Sequence, residues 1–159
     1  MKLRLDETDV KILSILQQDG RMTNADLAKS VGLSAPSALQ RVRRLETAGI
    51  IKAYAALLDA ERLGMKLTVF AMISLSLYQE QPIERFRRSV QSIDEVVECY
   101  HCSGEFDFML KIIVPDIRAY EVLIRERIGK LRGIRQIISS FVLAVPKYTT
   151  AIPLPGASE

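Results

Sequence analysis

The chain has 159 residues, of which 48% are hydrophobic and 26% charged, with a formal net charge of +3. That composition belongs to a soluble globular protein of one domain or two small ones, able to bury roughly two-thirds of its unfolded surface. No apolar run is long enough to span a membrane, and the opening MKLRLDETD lacks the apolar stretch of a secretion signal, so a cytoplasmic protein without membrane contact is expected.

Residues 5–18 read as a first helix. Asp6, Glu7 and Asp9 occupy its opening turn, where the helix dipole favours negative charge. Val10, Leu13 and Leu16 repeat at helical spacing, Ile12 and Ile15 broaden the stripe, and Asp19-Gly20 stops it. Residues 23–49, TNADLAKSVGLSAPSALQRVRRLETAG, read as two helices joined by a tight turn. Thr23 is the first cap, with Asp26 as a weaker version of the usual capping-box glutamate. Leu27, Ala28 and Val31 make the apolar side, and Gly32 permits the positive φ of a sharp exit. Ser34 caps the next helix, with Pro36 in its first turn. A helix–turn–helix of this size points to double-stranded DNA.

With Val42 as reference, Ala35, Ala38, Val42 and Leu45 share one face of that second helix, and Leu39 lies at its edge. The opposite face carries Ser37, Gln40 and Arg44, flanked by Arg41 and Arg43. Arginine and glutamine can each bond a base edge through two atoms, which suits Arg44 and Gln40 to reading. Arg41 and Arg43 suit phosphates, and the caps Thr23 and Ser34 complete the candidate DNA-facing set. A charge run alone would fit a solvated helix face; its place on the second helix of a capped helix–turn–helix favours DNA.

Residues 50–58 (IIKAYAALL) are apolar and β-branched enough for a strand, and the polar stretch to Gly64 reads as a linker. From Lys66 the period changes. A strand is expected over 67–77, a break at Gln79-Glu80-Gln81-Pro82, then a helix over 82–92 carrying Ile83, Phe86 and Val90, with Ile93 continuing its period just beyond. Strands over 96–102 and 106–114 flank the Ser103-Gly104 turn. Pro115-Asp116 opens a helix with an apolar face of Ile117, Tyr120, Ile124, Ile128 and Leu131, ended by Gly133. A last strand runs over 134–145. This order is the split βαβ, ferredoxin-like arrangement, an α+β fold with both helices on one face of the sheet. The uncovered face is too apolar for water and should pair with a second copy. The expected division is 1–58 for the helix–turn–helix and following strand, 59–65 for the linker, 66–150 for the sheet domain and 151–159 for a tail.

Three stretches, LDETDVKILSILQQDGRMTNADLAKSVGLS, RVRRLETAGIIKAYAALLD and SGEFDFMLKIIVPD, together with this element order, resemble the Lrp/AsnC (feast/famine) transcriptional regulators over residues 5–145. The resemblance implies a winged-type helix–turn–helix followed by an effector domain, dimers that assemble further, often to octamers, and small-molecule effectors, usually amino acids. It also implies an effector site near the Ser103–Asp107 turn, at a contact between dimers. Carried over by motif, Gly104 and Asp107 are the first candidates, with Ile117 after the Pro115-Asp116 turn and Ser140, Phe141 and Val142 on the last strand. The chemistry agrees at the turn: a free amino acid needs an anion for its ammonium and N–H donors for its carboxylate, and SGEFD offers both. The Pro-rich ending PKYTTAIPLPGASE departs from the pattern.

Cys99-Tyr100-His101-Cys102 invites a metal or redox reading. In a strand, however, Cys99 and Cys102 point to opposite faces, and His101 is the only histidine available for a four-ligand zinc site. Two small buried thiols are the simpler expectation. One histidine, no nucleophile elbow and no phosphate loop leave nothing for an enzyme, so neither catalytic residue, metal nor cofactor is expected. A metal or redox sensor through Cys99, His101 and Cys102, and an architectural DNA-binding protein without effector, stand as the alternatives.

Overall fold

In the computed structural model, which describes residues 3–76 and 82–154, the chain enters helix α1 (Glu7–Gln18) through a reciprocal cap. The Asp6 carboxylate accepts from the Asp9 N–H at 2.8 Å, and the Asp9 carboxylate accepts from the Asp6 N–H at 3.2 Å. Helix α2 (Asn24–Val31) has a one-sided version: Thr23 Oγ1 accepts from the Asp26 N–H at 3.2 Å while donating to Asp26 Oδ2 at 2.6 Å. Gly32 then leaves the helix at a φ of 70°, a left-handed turn that costs glycine nothing. Helix α3 (Ala35–Thr47) starts at Ser34 with Pro36 in its first turn. Ile12, Leu13, Leu27 and Leu45 bury themselves where the three helices meet.

The strand expected over 50–58 does not form. Ile51 packs on the three-helix core, and the Tyr54 hydroxyl donates to Glu46 at 3.0 Å, but the segment joins no sheet among the described residues. Strand composition is only half of a strand: the ladder needs a neighbour whose N–H and C=O groups face it. The described residues up to Leu57 are joined by those from Lys147 onward in one compact unit. Ile152 is held by Gln17 of α1, and Leu154 packs on the same core.

The second unit, Leu58–Pro146, is built on a sheet of order β2-β3-β1-β4. Its strands are β1 (Leu67–Leu75), β2 (Val96–His101), β3 (Phe108–Val114) and β4 (Ile134–Phe141), and every neighbouring pair is antiparallel. The alternation of side chains decides what is buried. Val69, Ala71, Ile73 and Leu75 of β1, with Phe108, Leu110, Ile112 and Val114 of β3, lie in one core with Phe86 and Val90 of α4 (Pro82–Val90) and Tyr120 and Leu123 of α5 (Ile117–Glu126). This is the ferredoxin-like α+β architecture. On the other face Phe70, Met72, Met109 and Ile113 are only half-buried, Ile138 is exposed, and Lys111 donates to Glu98 at 2.7 Å.

Several boundaries differ from expectation: α4 ends at Val90, β2 ends at His101 and β3 begins at Phe108. β1 ends at Leu75; Leu77 and the expected break at 79–81 lie outside the described residues. β4 ends at Phe141 because β1, its neighbour, begins at Leu67: Val142 still donates to the Thr68 carbonyl at 3.0 Å, and beyond it Leu143 is 97% exposed. Helix α5 stops at Glu126 and tightens into a single turn over Ile128–Lys130, where a side chain at Gly129 would come within 2.7 Å of the Ile124 carbonyl. Leu123 fills the core under this helix, and Ile117, expected there, is exposed. Among the described residues no helix is long and apolar enough to cross a membrane.

Candidate functional sites

Ala38 and Leu45, both fully buried, mark the inward side of α3, with Val42 and Arg41 half-buried beside them. Ala35 was expected on that side but is exposed; its carbonyl accepts from the Asn24 amide at 2.8 Å, tying the start of α3 to the start of α2. Ser37, Gln40, Arg43 and Arg44 are exposed, as are the caps Thr23 and Ser34. The helix therefore presents a polar, basic outer surface on a braced three-helix scaffold.

Two of its arginines are already engaged. Arg41 Nη1 donates to Asp6 Oδ2 at 2.6 Å and to Asp9 Oδ1 at 2.9 Å, and Arg44 Nη2 donates to Asp9 Oδ2 at 2.5 Å. The Asp9 side chain is fully buried, a position an ionised carboxylate holds only with charged partners. The Arg41 guanidinium, helped by the Asp9 N–H, holds the Asp6 carboxyl below the usual carboxylate range. Arg41 is raised in turn, first by Asp6 and then by Asp9. Sequence reasoning places these acids in the first turn for the helix dipole alone. The signal it passes over is the matched spacing of Asp6 and Asp9, at the cap and first turn of α1, with Arg41 and Arg44 on α3, each pair three residues apart and so on one side of its helix. Arg43 makes no ion pair among the described residues.

In the sheet unit the effector candidates separate. The Asp107 N–H donates to the Ile73 carbonyl at 2.9 Å, its carbonyl accepts from the Cys102 N–H at 2.9 Å, and its Oδ2 accepts from the Leu75 N–H at 2.6 Å. Asp107 is thus anchored where β1 ends, beside the exposed Gly104 at a φ of 126°. Ser140 and Phe141 pair with Phe70 and Val69, toward the start of β1. Phe141 is roughly 13 Å from Ile73 at the rise of a strand, and the Ile117 end of β3 is roughly 23 Å from Asp107. Phe141 also packs edge-on against Tyr120, with ring centroids 5.5 Å apart. Gly104 and Asp107 share one turn, and Ser140, Phe141 and Val142 are consecutive at the end of β4, but Phe141 turns to the helix-covered face and Ser140 to the other; Ile117 follows β3 at its far end from Asp107.

The cysteines are not the buried pair expected. Cys99 is exposed and Cys102 half-buried, because β2 is an edge strand and Cys102 follows its last residue. Desolvation raises the Cys99 thiol, which disfavours the thiolate a redox centre uses. His101 stacks on Phe108 with ring centroids 4.8 Å apart. Among the described residues no group of three or more His, Cys, Asp or Glu side chains could hold a metal ion.

Comparison with known proteins matches both units. A family model described as winged helix-turn-helix DNA-binding covers residues 5–52, and one described as the Lrp/AsnC ligand binding domain covers residues 68–152. The leucine-responsive regulatory protein of Escherichia coli (strain K12) is 40% identical over 148 residues, 93% of this chain and 90% of that protein. The transcriptional regulator NMB0573 of Neisseria meningitidis, solved as a complex with L-Met, has a TM-score of 0.91 at 37% identity, covering 94% of this chain and 97% of that one. An AsnC family regulator from Agrobacterium tumefaciens has a TM-score of 0.88 at 40% identity, again over 94% of this chain and 97% of that one.

Proposed function

This chain belongs to the Lrp/AsnC family of transcriptional regulators, and on that footing we propose that it binds specific DNA sites under the control of a free amino acid. The observation that carries the DNA half is the exposed outer surface of α3 on a capped helix–turn–helix. Thr23, Ser34, Ser37, Gln40, Arg41, Arg43 and Arg44 are its DNA-facing residues, the caps and outlying arginines meeting phosphates and the outermost side chains meeting base edges. The protein acts by binding and regulates transcription in the cytoplasm, with no catalytic step of its own.

The effector half rests on the Gly104–Asp107 turn. Asp107 Oδ2 is occupied by the Leu75 N–H, so Oδ1 meets the effector's ammonium, and the backbone beside Gly104 meets its carboxylate. Because the remaining candidates lie too far along the sheet for one amino acid to touch all of them, the complete site takes Gly104 and Asp107 from one copy and Ile117, Ser140, Phe141 and Val142 from others. The half-buried Phe70, Met72, Met109 and Ile113 supply a face on which two copies pair, and dimers assemble further, to octamers.

A thermal-shift screen against the twenty amino acids tests the effector reading, since a ligand that binds only the folded state raises its apparent stability. One or a few amino acids, methionine and leucine among the first to try, should raise the melting temperature and change the affinity for DNA. By linkage DNA should change effector affinity by the same factor. Equal melting and equal DNA affinity with all twenty would leave an architectural DNA-binding protein instead. Light scattering at micromolar concentration should give at least a dimer mass; a monomer would refute the paired sheet face.

A further inference from the structure

Asp9 and Asp6 stand between α1 and α3 and hold the guanidinium groups of Arg41 and Arg44. We propose that Asp9, assisted by Asp6, is a specificity-determining positioning residue: it withdraws Arg41 and Arg44 from the base-reading set and leaves Gln40 and Arg43 to meet the base edges. The inference deepens the assignment of α3 as the reading helix and rests on it.

The geometry is a matter of where the helix points. With the fully buried Ala38 taken as inward and 3.6 residues per turn, Gln40 and Arg43 lie roughly 160° and 140° away, on the outermost side. Arg44 lies roughly 120° and Arg41 roughly 60° from Ala38, both on the flank that faces the two acids. A wheel centred on Val42 places Arg44 further out and Arg43 at the flank; the true centre, set by Ala38 and Leu45, exchanges them.

The electrostatics point the same way. Asp9 is fully buried and accepts from both arginines, so either arginine that reached for a base would leave a desolvated carboxylate short of a partner. Two acids against two arginines also make this flank neutral. Its pull on phosphates of any sequence is thereby reduced, which lowers the sequence-independent part of binding relative to the part that discriminates.

The full-length protein is first used to select a motif from random duplexes, and variants are then compared on that motif and on a mixed-sequence duplex. Asp9→Asn keeps the shape and removes the charge. It should bind mixed-sequence DNA more tightly at low salt, steepen the slope of log affinity against log salt by about 0.9 for each arginine released onto a phosphate, and lower the ratio of specific to mixed binding about tenfold. Should Asp9→Asn fail to fold, Asp6→Asn decides the matter, because asparagine caps as well as aspartate; the slope should steepen by a smaller amount of the same sign. Gln40→Ala and Arg43→Ala should each blur a position of the selected motif, and Arg44→Ala should weaken selected and mixed DNA by the same factor. Unchanged salt slopes in the folded aspartate variants, or a motif position erased by Arg44→Ala, would overturn the inference while leaving α3 as the reader. Selection of the wild-type motif by all of the α3 variants would instead remove α3 from that role.

Discussion

The side-chain amide of Gln17 and the backbone of Ile152 exchange two hydrogen bonds across 135 residues of chain: Nε2 donates to the Ile152 carbonyl at 3.2 Å, and Oε1 accepts from its N–H at 2.8 Å. An amide side chain here does what a neighbouring strand would do, satisfying both polar groups of one residue. It fastens the segment that follows the sheet unit onto the back of α1, and Leu154 adds an apolar contact there.

Gln17→Ala should therefore release residues 147–154 with only a small loss of overall stability, about 1 kcal/mol for the pair of exposed bonds. Hydrogen exchange followed by mass spectrometry should show faster exchange in this segment and unchanged protection in β1 and β3. Equal protection in the variant would mean that Leu154 alone holds the tail.

The acid clamp should matter for folding as well as for reading. Asp9→Ala removes the buried partner of two arginines, and the loss should be about 2–3 kcal/mol, less than for a fully buried pair because Arg41 and Arg44 are 29% and 45% exposed. Urea unfolding of the variant measures it; a loss below about 0.5 kcal/mol would mean the arginines are fully served by water.

Asp6 predicts a pH dependence with a definite sign. Its pKa is lowered from the ordinary 3.8, chiefly by the Arg41 hydrogen bond, so the folded state favours the carboxylate. The contribution is complete above that ordinary value and is lost as pH falls through the lower folded one. The melting temperature of the wild type should exceed that of Asp6→Asn at pH 6, and the gap should close as pH falls below about 4. A gap that widens on acidification would contradict the pairing.

Asp107 has two roles that two substitutions can separate. Asp107→Ala leaves the buried Leu75 N–H without its acceptor and should cost about 1–3 kcal/mol of stability. Asp107→Asn keeps an acceptor and should fold nearly as well. If the carboxylate also meets an effector's ammonium, Asn should weaken the amino acid found by the thermal screen by about 1.5–3 kcal/mol. Unchanged effector affinity in Asp107→Asn, measured by calorimetry, would confine this residue to the end of the sheet.

The local rules of the chain are written in single residues, and these were legible without coordinates. Thr23, Gly32, Ser34 and Pro36 place two helices and the turn between them, because caps, a left-handed exit and a missing N–H act within one helical turn. The alternation along β1 and β3 and the order of strands and helices likewise specify the ferredoxin-like unit, since side chains must alternate and apolar faces must be covered. What only the tertiary structure decided depends on partners distant in sequence. Residues 50–58 have a strand's composition but no neighbouring strand among the described residues. Cys99 is apolar enough for a core, yet lies on an edge strand. Asp9 reads as a helix-dipole acid until α3 brings Arg41 and Arg44 against it. Gln17, unremarkable on an amphipathic helix, becomes the anchor of the C-terminal segment once the chain has returned to it. A periodic pattern states which face of an element is apolar; only the packed chain states what that face, and each charge at its rim, will meet.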